Sequence, residues 1–544
     1  VTSKELDRTE FLSSSIRAAE LVLGVVTPLG TDVDFVERTV SERITQFGYQ
    51  AESVRLSALI RGFKGLKTSL EEAPYERRLH TYMNAGNELR DNCGRGDALA
   101  LAAVGRICEL RQQRDGSAGP RARTLYFVRS LKHPEEVSTL REVYGPGFFA
   151  LGVTAPRGKR LDYLRTEKAV PAGEAEALVK RDECEEEGHG QQTRDAFHLA
   201  DAFVTLGPNE EENKRQLWRL LDLLFGHPFI TPWLDEYAMF LAYAASLRSA
   251  DLSRQVGAII VSAAKEIIAT GANDVPTAEG GQYWSERFVD WPASMPENDR
   301  RDWALGYDSN KKQRGIIIEE VAERVLKNER ERVTAALRAA AAENELDAAT
   351  VEKAIELATG TLYPQQAELE RTLKGATVMN LTEYGRAVHA EMAALLCCAR
   401  VGVSPAGGAL YCTTFPCHNC TKHIVAAGLR EVLYVEPYPK SLAEELHGDA
   451  VVVTTGEASE PTSGKVVFRP FTGVGPRRFV DLFSMTLSTG RPMDRKAAMP
   501  RNWSRNSAQL RFSMVPTSYM ERERGALATL TSAIPGAHHV HPKK

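Results

Sequence analysis

His389-Ala390-Glu391, followed 26 positions beyond the glutamate by Cys417-His418-Asn419-Cys420 with Pro416 just ahead, brings together an imidazole, two thiolates and a carboxylate. Residues of these types at this spacing suit a catalytic zinc site. His389, Cys417 and Cys420 would be three ligands, leaving the fourth tetrahedral position open for water, which separates a catalytic site from a closed structural one. A zinc ion so held lowers the pKa of its water toward neutrality and makes hydroxide available for hydrolysis. Glu391 is not needed as a ligand and is therefore placed to carry protons.

Short local elements must position these groups. Met392, Leu395, Leu396 and Ala399 recur at helical spacing, so His389 and Glu391 open a helix. Gly407-Gly408 closes the loop that follows, and 409–413 reads as a short buried strand. Pro416 is expected in the first turn of the next helix, where its missing N–H is tolerated. Cys417 and Cys420, three apart, would share one face of that helix near its N-terminus, where the dipole favours thiolate. A structural zinc site would take His418 or His423 as fourth ligand, and a redox Cys-x-x-Cys pair would need a thioredoxin-like context. Neither alternative uses Glu391. Cys397, Cys398 and Cys412 read as small buried core residues. The H-x-E…P-C-x-x-C pattern resembles the signature of zinc-dependent nucleobase deaminases. That resemblance implies attack of water on C4 of a cytosine ring, with Glu391 moving protons to the ring nitrogen and to departing ammonia.

The chain has 544 residues, too many for one core, and its formal net charge of −4 gives no overall basic field to recommend a nucleic-acid partner. No apolar run approaches the roughly 18 residues of a membrane span, and the first residues show no apolar signal-peptide segment. Five of the eight cysteines fall within 397–420, which suits metal chemistry in a reducing compartment better than a disulfide framework. A cytoplasmic location without a membrane partner is expected.

Residues 18–226 alternate strand and helix patterns. A buried strand over 20–26 leads through Thr27-Pro28-Leu29-Gly30-Thr31-Asp32 into an amphipathic helix carrying Val33, Phe35, Val36, Val40 and Ile44. Further strands at 125–128 and 148–153 flank a helix over 134–143. Such alternation implies a parallel α/β sheet, and Gly226-His227-Pro228 marks a boundary. Residues 232–490 read as a second α/β domain. It begins with a helix and a hairpin of 256–261 with 266–270, and it ends with the motif helix, the 409–413 strand, the cysteine helix and a strand at 432–435. Inside it, 277–378 is an insertion that carries Trp284, Trp291 and Trp303 and then, from Ile316, a long charged helix that turns back after Ala339–Ala342. A solvated appendage, a subunit contact and a lid over the site are all open for it. Residues 491–544 form a tail whose pattern fades beyond about 500 and whose end is expected to be mobile. His538, His539 and His541 in that tail read as chance rather than as metal ligands.

Taken in order, Asp251-Leu252-Ser253-Arg254-Gln255-Val256-Gly257-Ala258, Gly271-Ala272-Asn273-Asp274, His389-Ala390-Glu391 and Pro416–Cys420 resemble the deoxycytidylate deaminase branch. The resemblance implies that Asn273 contacts the substrate sugar and that Ala390 lies beside the substrate; a plain turn role for Asn273 stays open. Substrate phosphates need cations. Arg254 and the Gly475-Pro476-Arg477-Arg478 turn are the sequence candidates, with solvated surface arginines as the alternative.

The N-terminal stretch resembles a P-loop kinase. Residues 20–32 stand where a Walker A loop belongs, 129–153 resembles a kinase strand–helix–strand, and 198–204 resembles the last core strand. A P-loop-kinase-like domain joined to a deoxycytidylate deaminase domain is similar to the bacterial anti-phage dCTP deaminase family. That resemblance implies an α/β protein with an N-terminal P-loop-kinase-like parallel sheet domain, followed by a cytidine-deaminase-like α/β/α domain with a helical insertion. It further implies Zn2+ as cofactor, free dCTP and dCMP as substrates, and depletion of the dCTP pool during phage infection. A homo-oligomer is expected. Such an enzyme needs a restraint, and a regulatory nucleotide such as dTTP, a small RNA or another signal all stay open.

One departure from the family pattern matters. A Walker A loop is G-x-x-x-x-G-K-[ST], whereas five residues separate Gly24 from Gly30 here, and Thr31-Asp32 follows with no lysine. Pro28 also removes a backbone N–H. Phosphoryl transfer relies on charge stabilisation and positioning, so kinase activity is not expected. Gly24, Gly30, Thr31 and Asp32 would instead cradle a regulatory nucleotide, with a purely structural domain as the alternative. Rivals to free-nucleotide deamination are a nucleic-acid-editing deaminase, which wants a basic groove with aromatics, a housekeeping dCMP deaminase, and a sensor module with a vestigial zinc site.

Overall fold

Six consecutive apolar or small residues, Leu21–Val26, are all buried and form strand β1. In the computed structural model of the chain, β1 is the centre of a parallel sheet. The structure describes residues 19–116, 119–183, 192–284, 299–344, 347–360, 365–435, 441–454, 464–486 and 516–533, with 493, 495–496, 503–505, 508 and 510–512. Strands β2 (Gln50–Arg55), β3 (Thr124–Leu131), β4 (Phe148–Thr154) and β5 (Ala202–Thr205) join β1 in the order β5-β4-β1-β3-β2. All four pairings are parallel. A parallel sheet is covered on both faces and therefore reads as continuous apolar runs, as β1 and β4 do. Edge strand β2 buries only Val54 completely.

A second sheet contains β6 (Gly257–Val261), β7 (Ile267–Ala272), β8 (Ala409–Cys412), β9 (Glu431–Tyr434), β10 (Val451–Val453) and β11 (Val466–Pro470). Its order is β10-β11-β9-β8-β6-β7; β6 runs antiparallel to β8, and β8, β9, β11 and β10 are parallel neighbours. Just past β11 the chain crosses back. Strand β12 (Gly473–Val474) pairs antiparallel with β5 in the first sheet, and Val474 N donates to the buried Glu236 carboxylate at 2.8 Å. Arg219 neutralises that carboxylate at 2.7 Å.

The chain falls into two compact units: Val1–Ala244 with Ala258–Thr270 and Ala394–Lys544, and Ala245–Gly257 with Gly271–Ala393. Both sheets lie almost wholly in the first. The second carries the insertion, in which Ser309–Glu343 is one 35-residue helix capped by Asp308. The expected turn-back is present, with Ala348–Gly360 as the returning helix and an Arg338–Glu352 ion pair at 2.9 Å between the arms. The long helix starts earlier than the expected Ile316, because Asp308 accepts from Lys311 N and sets its first turn. A third helix, Gln365–Lys374, was not expected. Trp291, His538, His539 and His541 lie outside the described residues.

The expectation of a patternless end beyond about 500 is corrected at Pro516–Ala533, which is a helix. It is tied down by charge. Arg111, fully buried on the helix Ala98–Asp115, forks onto Glu20 (2.9 and 3.0 Å) and onto Glu523 of the C-terminal helix (2.7 and 2.9 Å). Tyr126 and Tyr519 donate their hydroxyls to the same Glu20 carboxylate. Removing the shared guanidinium would leave two buried carboxylates facing each other. Arg111→Ala is accordingly expected to cost about 3–5 kcal/mol, read as a lowered urea midpoint; an unchanged midpoint would contradict the buried arrangement. Among the described residues no helix is long and apolar enough to cross a membrane.

Candidate metal and substrate site

Two helix starts carry the motif. The helix Ala390–Val401 begins immediately after His389, whose carbonyl accepts Ala393 N at 2.8 Å. Glu391 is its second residue and only 3% exposed; Ala390 is fully buried. Ahead of it, Val388 and Asp274 exchange backbone hydrogen bonds of 3.0 and 3.3 Å. The cysteine helix is His418–Ala426, and Cys417 is its N-cap, with Sγ accepting from Cys420 N at 3.5 Å. Pro416 therefore precedes the cap instead of sitting in the first turn. The cap position wants an extended backbone and a side-chain acceptor, and Cys417 supplies both. Each sulfur lies within one turn of the positive end of the helix, which favours thiolate.

His389, Cys417 and Cys420 each offer one ligand atom, and these atoms all lie within 4.8 Å of one another. Among the described residues this is the one such group of three, and neither His418 nor His423 joins it. Zinc bonds of about 2.0–2.3 Å put tetrahedral ligand atoms roughly 3.5–4 Å apart, so one nitrogen and two sulfurs this close fit the ion in both chemistry and reach. Three donors leave a position open.

Asn273 is almost buried and its side chain is engaged. Oδ1 accepts Val256 N at 2.6 Å and Nδ2 donates to the Arg254 carbonyl at 2.8 Å, closing the turn before β6. Next to it, burial pushes the Asp274 carboxyl up, against the pull of the Val275 N–H and the Arg301 charge. Its Oδ2 has no hydrogen bond and stands 3.7 Å from Arg301 Nη1. Arg248 lies over the Trp284 ring at 3.7 Å and donates to the Tyr283 carbonyl. This charged group of Arg248, Asp274 and Arg301 has no sequence signature, because its members come from separate segments. Arg254 is exposed. Arg477 is exposed on the helix Pro476–Phe483, which follows β12 of the first sheet, and Arg478 pairs with Asp201 and donates to the Phe148 carbonyl. The Arg477-Arg478 turn is thus an edge feature of the first sheet, whereas Cys417 and Cys420 follow β8 of the second.

The N-terminal loop residues are also placed. Gly24 is inside β1, where a Cβ would come within 2.7 Å of Leu131 and Phe148 side-chain atoms. Gly30 has φ +86° and passes so close to the Arg160 backbone that a Cβ would lie 2.5 Å from its carbonyl oxygen. Asp32 is the N-cap of the helix Val33–Thr45, accepting from Phe35 N at 3.0 Å. Thr31 is buried and its hydroxyl has no partner. Packing and capping account for Gly24, Gly30 and Asp32 without a ligand.

One imidazole and two thiolates gathered this closely, with a tetrahedral position to spare, make a centre suited to zinc. Residues 233–436 match the family described as the cytidine and deoxycytidylate deaminase zinc-binding region. The chain therefore contains such a region, and its metal is zinc. The ComE operon protein 2 of Bacillus subtilis is 42% identical over 65 residues, 11% of this chain and 34% of that protein. The deoxycytidylate deaminase of Enterobacteria phage T2 is 41% identical over 54 residues, 10% of this chain and 29% of that protein. The chain thus spans about a third of the length of the curated relatives it matches. The crystal structure of a dCMP deaminase from cyanophage S-TIM5 in apo form aligns at 17% identity over 44% of this chain and 99% of its own, with a TM-score of 0.20. A score this low carries no argument about fold or ligand.

Proposed function

We propose that the chain hydrolyses free deoxycytidine nucleotides, dCTP and dCMP, to the deoxyuridine nucleotides and ammonia. The observation that carries this reading is the close group of His389, Cys417 and Cys420, with Glu391 buried on the first turn of the helix that His389 opens. When bound there, zinc supplies a Lewis acid and a water that ionises near neutral pH. Glu391 accepts the proton released as the water oxygen bonds to C4 and passes it to N3. The same carboxylate carries the second water proton to the exocyclic nitrogen. The C4–N bond then breaks, ammonia leaves, and C4 keeps the oxygen as a carbonyl. Asn273 holds the turn before β6 and has one amide hydrogen left for the substrate sugar, and Ala390 lets the ring approach the start of the helix.

Free nucleotides are favoured over nucleic acid by the names of the phage relatives and by the acidic charge balance. Ammonia release from dCMP and dCTP, but not from a deoxycytidine oligonucleotide or a tRNA, is the expected pattern. Comparable conversion of the polymers would make this an editing enzyme. We place the activity in depletion of the dCTP pool during phage infection, restrained at other times. In a bacterial host making the protein, infection should lower dCTP and raise deoxyuridine nucleotides, whereas unchanged pools and phage yield would assign it to housekeeping pyrimidine metabolism. The first sheet is read as a P-loop-kinase-like domain, supported by the strand–loop–helix of β1, 27–32 and Val33–Thr45.

A further inference from the structure

The insertion is fastened at its root to the segment that leads into His389. Its long helix, Ser309–Glu343, is held at the start by Asp302, whose carboxylate accepts from Ser309 N at 3.1 Å and from Ser309 Oγ at 2.9 Å. Asn310 Nδ2, in the first turn, donates to the Leu381 carbonyl at 2.9 Å, and Arg314 donates to the Met379 carbonyl. From the other side, Arg386 donates to the Arg300 carbonyl. The segment 379–386, which ends three residues before His389, is thereby tied to the insertion at both of its ends.

Arg301 carries the same root to the opposite segment. It is buried, and Asp299 fixes its guanidinium through contacts of 3.0 Å to Nε and 2.6 Å to Nη2. Its Nη1 stands 3.7 Å from Oδ2 of the buried Asp274, whose other oxygen accepts Val275 N at 2.8 Å. Among the described residues Arg301 is the one ion-pair partner of Asp274; Arg248 is engaged by the Tyr283 carbonyl and the Trp284 ring. Asp274 directly follows Asn273, and its backbone exchanges both hydrogen bonds with Val388, directly before His389. One backbone pairing therefore sets the segment of Asn273 against the segment of His389 and Glu391. The charge that compensates its buried carboxylate comes from the insertion.

We infer that Arg301 is a positioning residue for the zinc site, and that the root of the insertion is a brace holding Asn273 and His389 in register. Arg301 acts through Asp274 and the Asp274–Val388 pairing. Without the guanidinium, Asp274 is a buried and unpaired carboxylate, which costs several kcal/mol. The 273–275 turn then relaxes toward water, and the shift passes through Val388 to His389. Groups that support metal ligands are worth about 10- to 100-fold in metal affinity or activity, and a displacement of about 1 Å at a reacting centre costs on the order of a hundredfold in rate. The far end of the arm, where Arg338 and Glu352 pair in solvent, takes no part. A brace of this kind gives the root a role that neither a solvated arm nor a lid would give it.

For turnover the inference rests on the deaminase reading; for zinc it rests on the metal group alone. The test compares Arg301→Met, Arg301→Lys, Asp274→Asn and Arg338→Ala in the full chain. Zinc affinity is read by competition with a chromophoric chelator, and kcat and KM for dCMP are read at saturating zinc. Arg301→Met should weaken zinc binding about tenfold and lower kcat about 10- to 100-fold, with a smaller change in KM. Arg301→Lys keeps the charge and should recover part of both losses. Asp274→Asn should fall between wild type and Arg301→Met, and Arg338→Ala should match wild type. In the Asp274→Asn background Arg301→Met should cost clearly less than in wild type, the coupling expected of groups that act as one. A lowered melting temperature with zinc affinity and kcat unchanged, or fully additive losses in the double variant, would overturn the inference. If Arg301→Met does not fold, Asp274→Asn decides, and wild-type zinc affinity and kcat in that variant overturn it. Failure of the deaminase reading would appear separately, as no ammonia from the wild type, with the zinc measurements still deciding the brace.

Discussion

Glu391→Gln is expected to lower turnover of dCMP and dCTP by about 10⁴-fold, the upper end of what one general acid–base group contributes, while zinc content stays at the wild-type level. The upper end applies because one carboxylate serves both proton transfers, from water to N3 and from water to the leaving amine. Glutamine keeps the size of the side chain at a position only 3% exposed, so packing changes little. It cannot accept a proton, and it is no worse than glutamate for a metal held by His389, Cys417 and Cys420. Parallel measurement of ammonia release and zinc content checks this. Activity within about tenfold of wild type, well inside the ordinary acid–base contribution, would mean that another group moves the protons.

Loss of a cysteine should act on metal and fold together. Cys420→Ala removes a buried ligand and should abolish both zinc retention and activity, with a lower melting temperature, because metal binding is coupled to folding. Cys417→Ala removes a ligand and also the N-cap acceptor of His418–Ala426, adding about 0.5–2 kcal/mol to the loss. Cys417→Ser keeps a capping oxygen and should recover that increment of stability without recovering zinc. Metal analysis after dialysis, with melting curves for all three variants, separates the two effects. Full zinc occupancy in Cys420→Ala would remove that residue from the ligand set.

The zinc motif was legible because its groups lie at two helix starts with short local spacing, so neighbouring residues decide the geometry. Strands β1 and β4 were legible for a related reason, since burial on both faces leaves an unbroken apolar run. Edge strand β2, Gln-Ala-Glu-Ser-Val-Arg, gives no such run. The helix Pro516–Ala533 was hidden because its buried positions include Tyr519 and Glu523 beside Ala526 and Leu530, and a glutamate reads as solvated until Arg111 is placed against it. A cavity of about 410 Å3 at the carboxyl ends of β1, β2 and β3 gathers cations from residues as far apart as Arg55 and Lys168, which no local spacing announces. Asp32 carries two local signals at once: an aspartate directly before an amphipathic helix caps it, as its 3.0 Å hydrogen bond from Phe35 N shows, and the same position also suits a phosphate loop.

The most direct test of the central claim is to incubate the zinc-loaded chain with dCMP and with dCTP in water enriched in oxygen-18. Nucleotide mass and ammonia are then measured together. Hydrolytic deamination predicts one ammonia per deoxyuridine nucleotide formed, with one heavy oxygen in the uracil ring and the phosphates unchanged. Intact substrate with no ammonia from either nucleotide, under conditions where zinc is bound, would contradict the account.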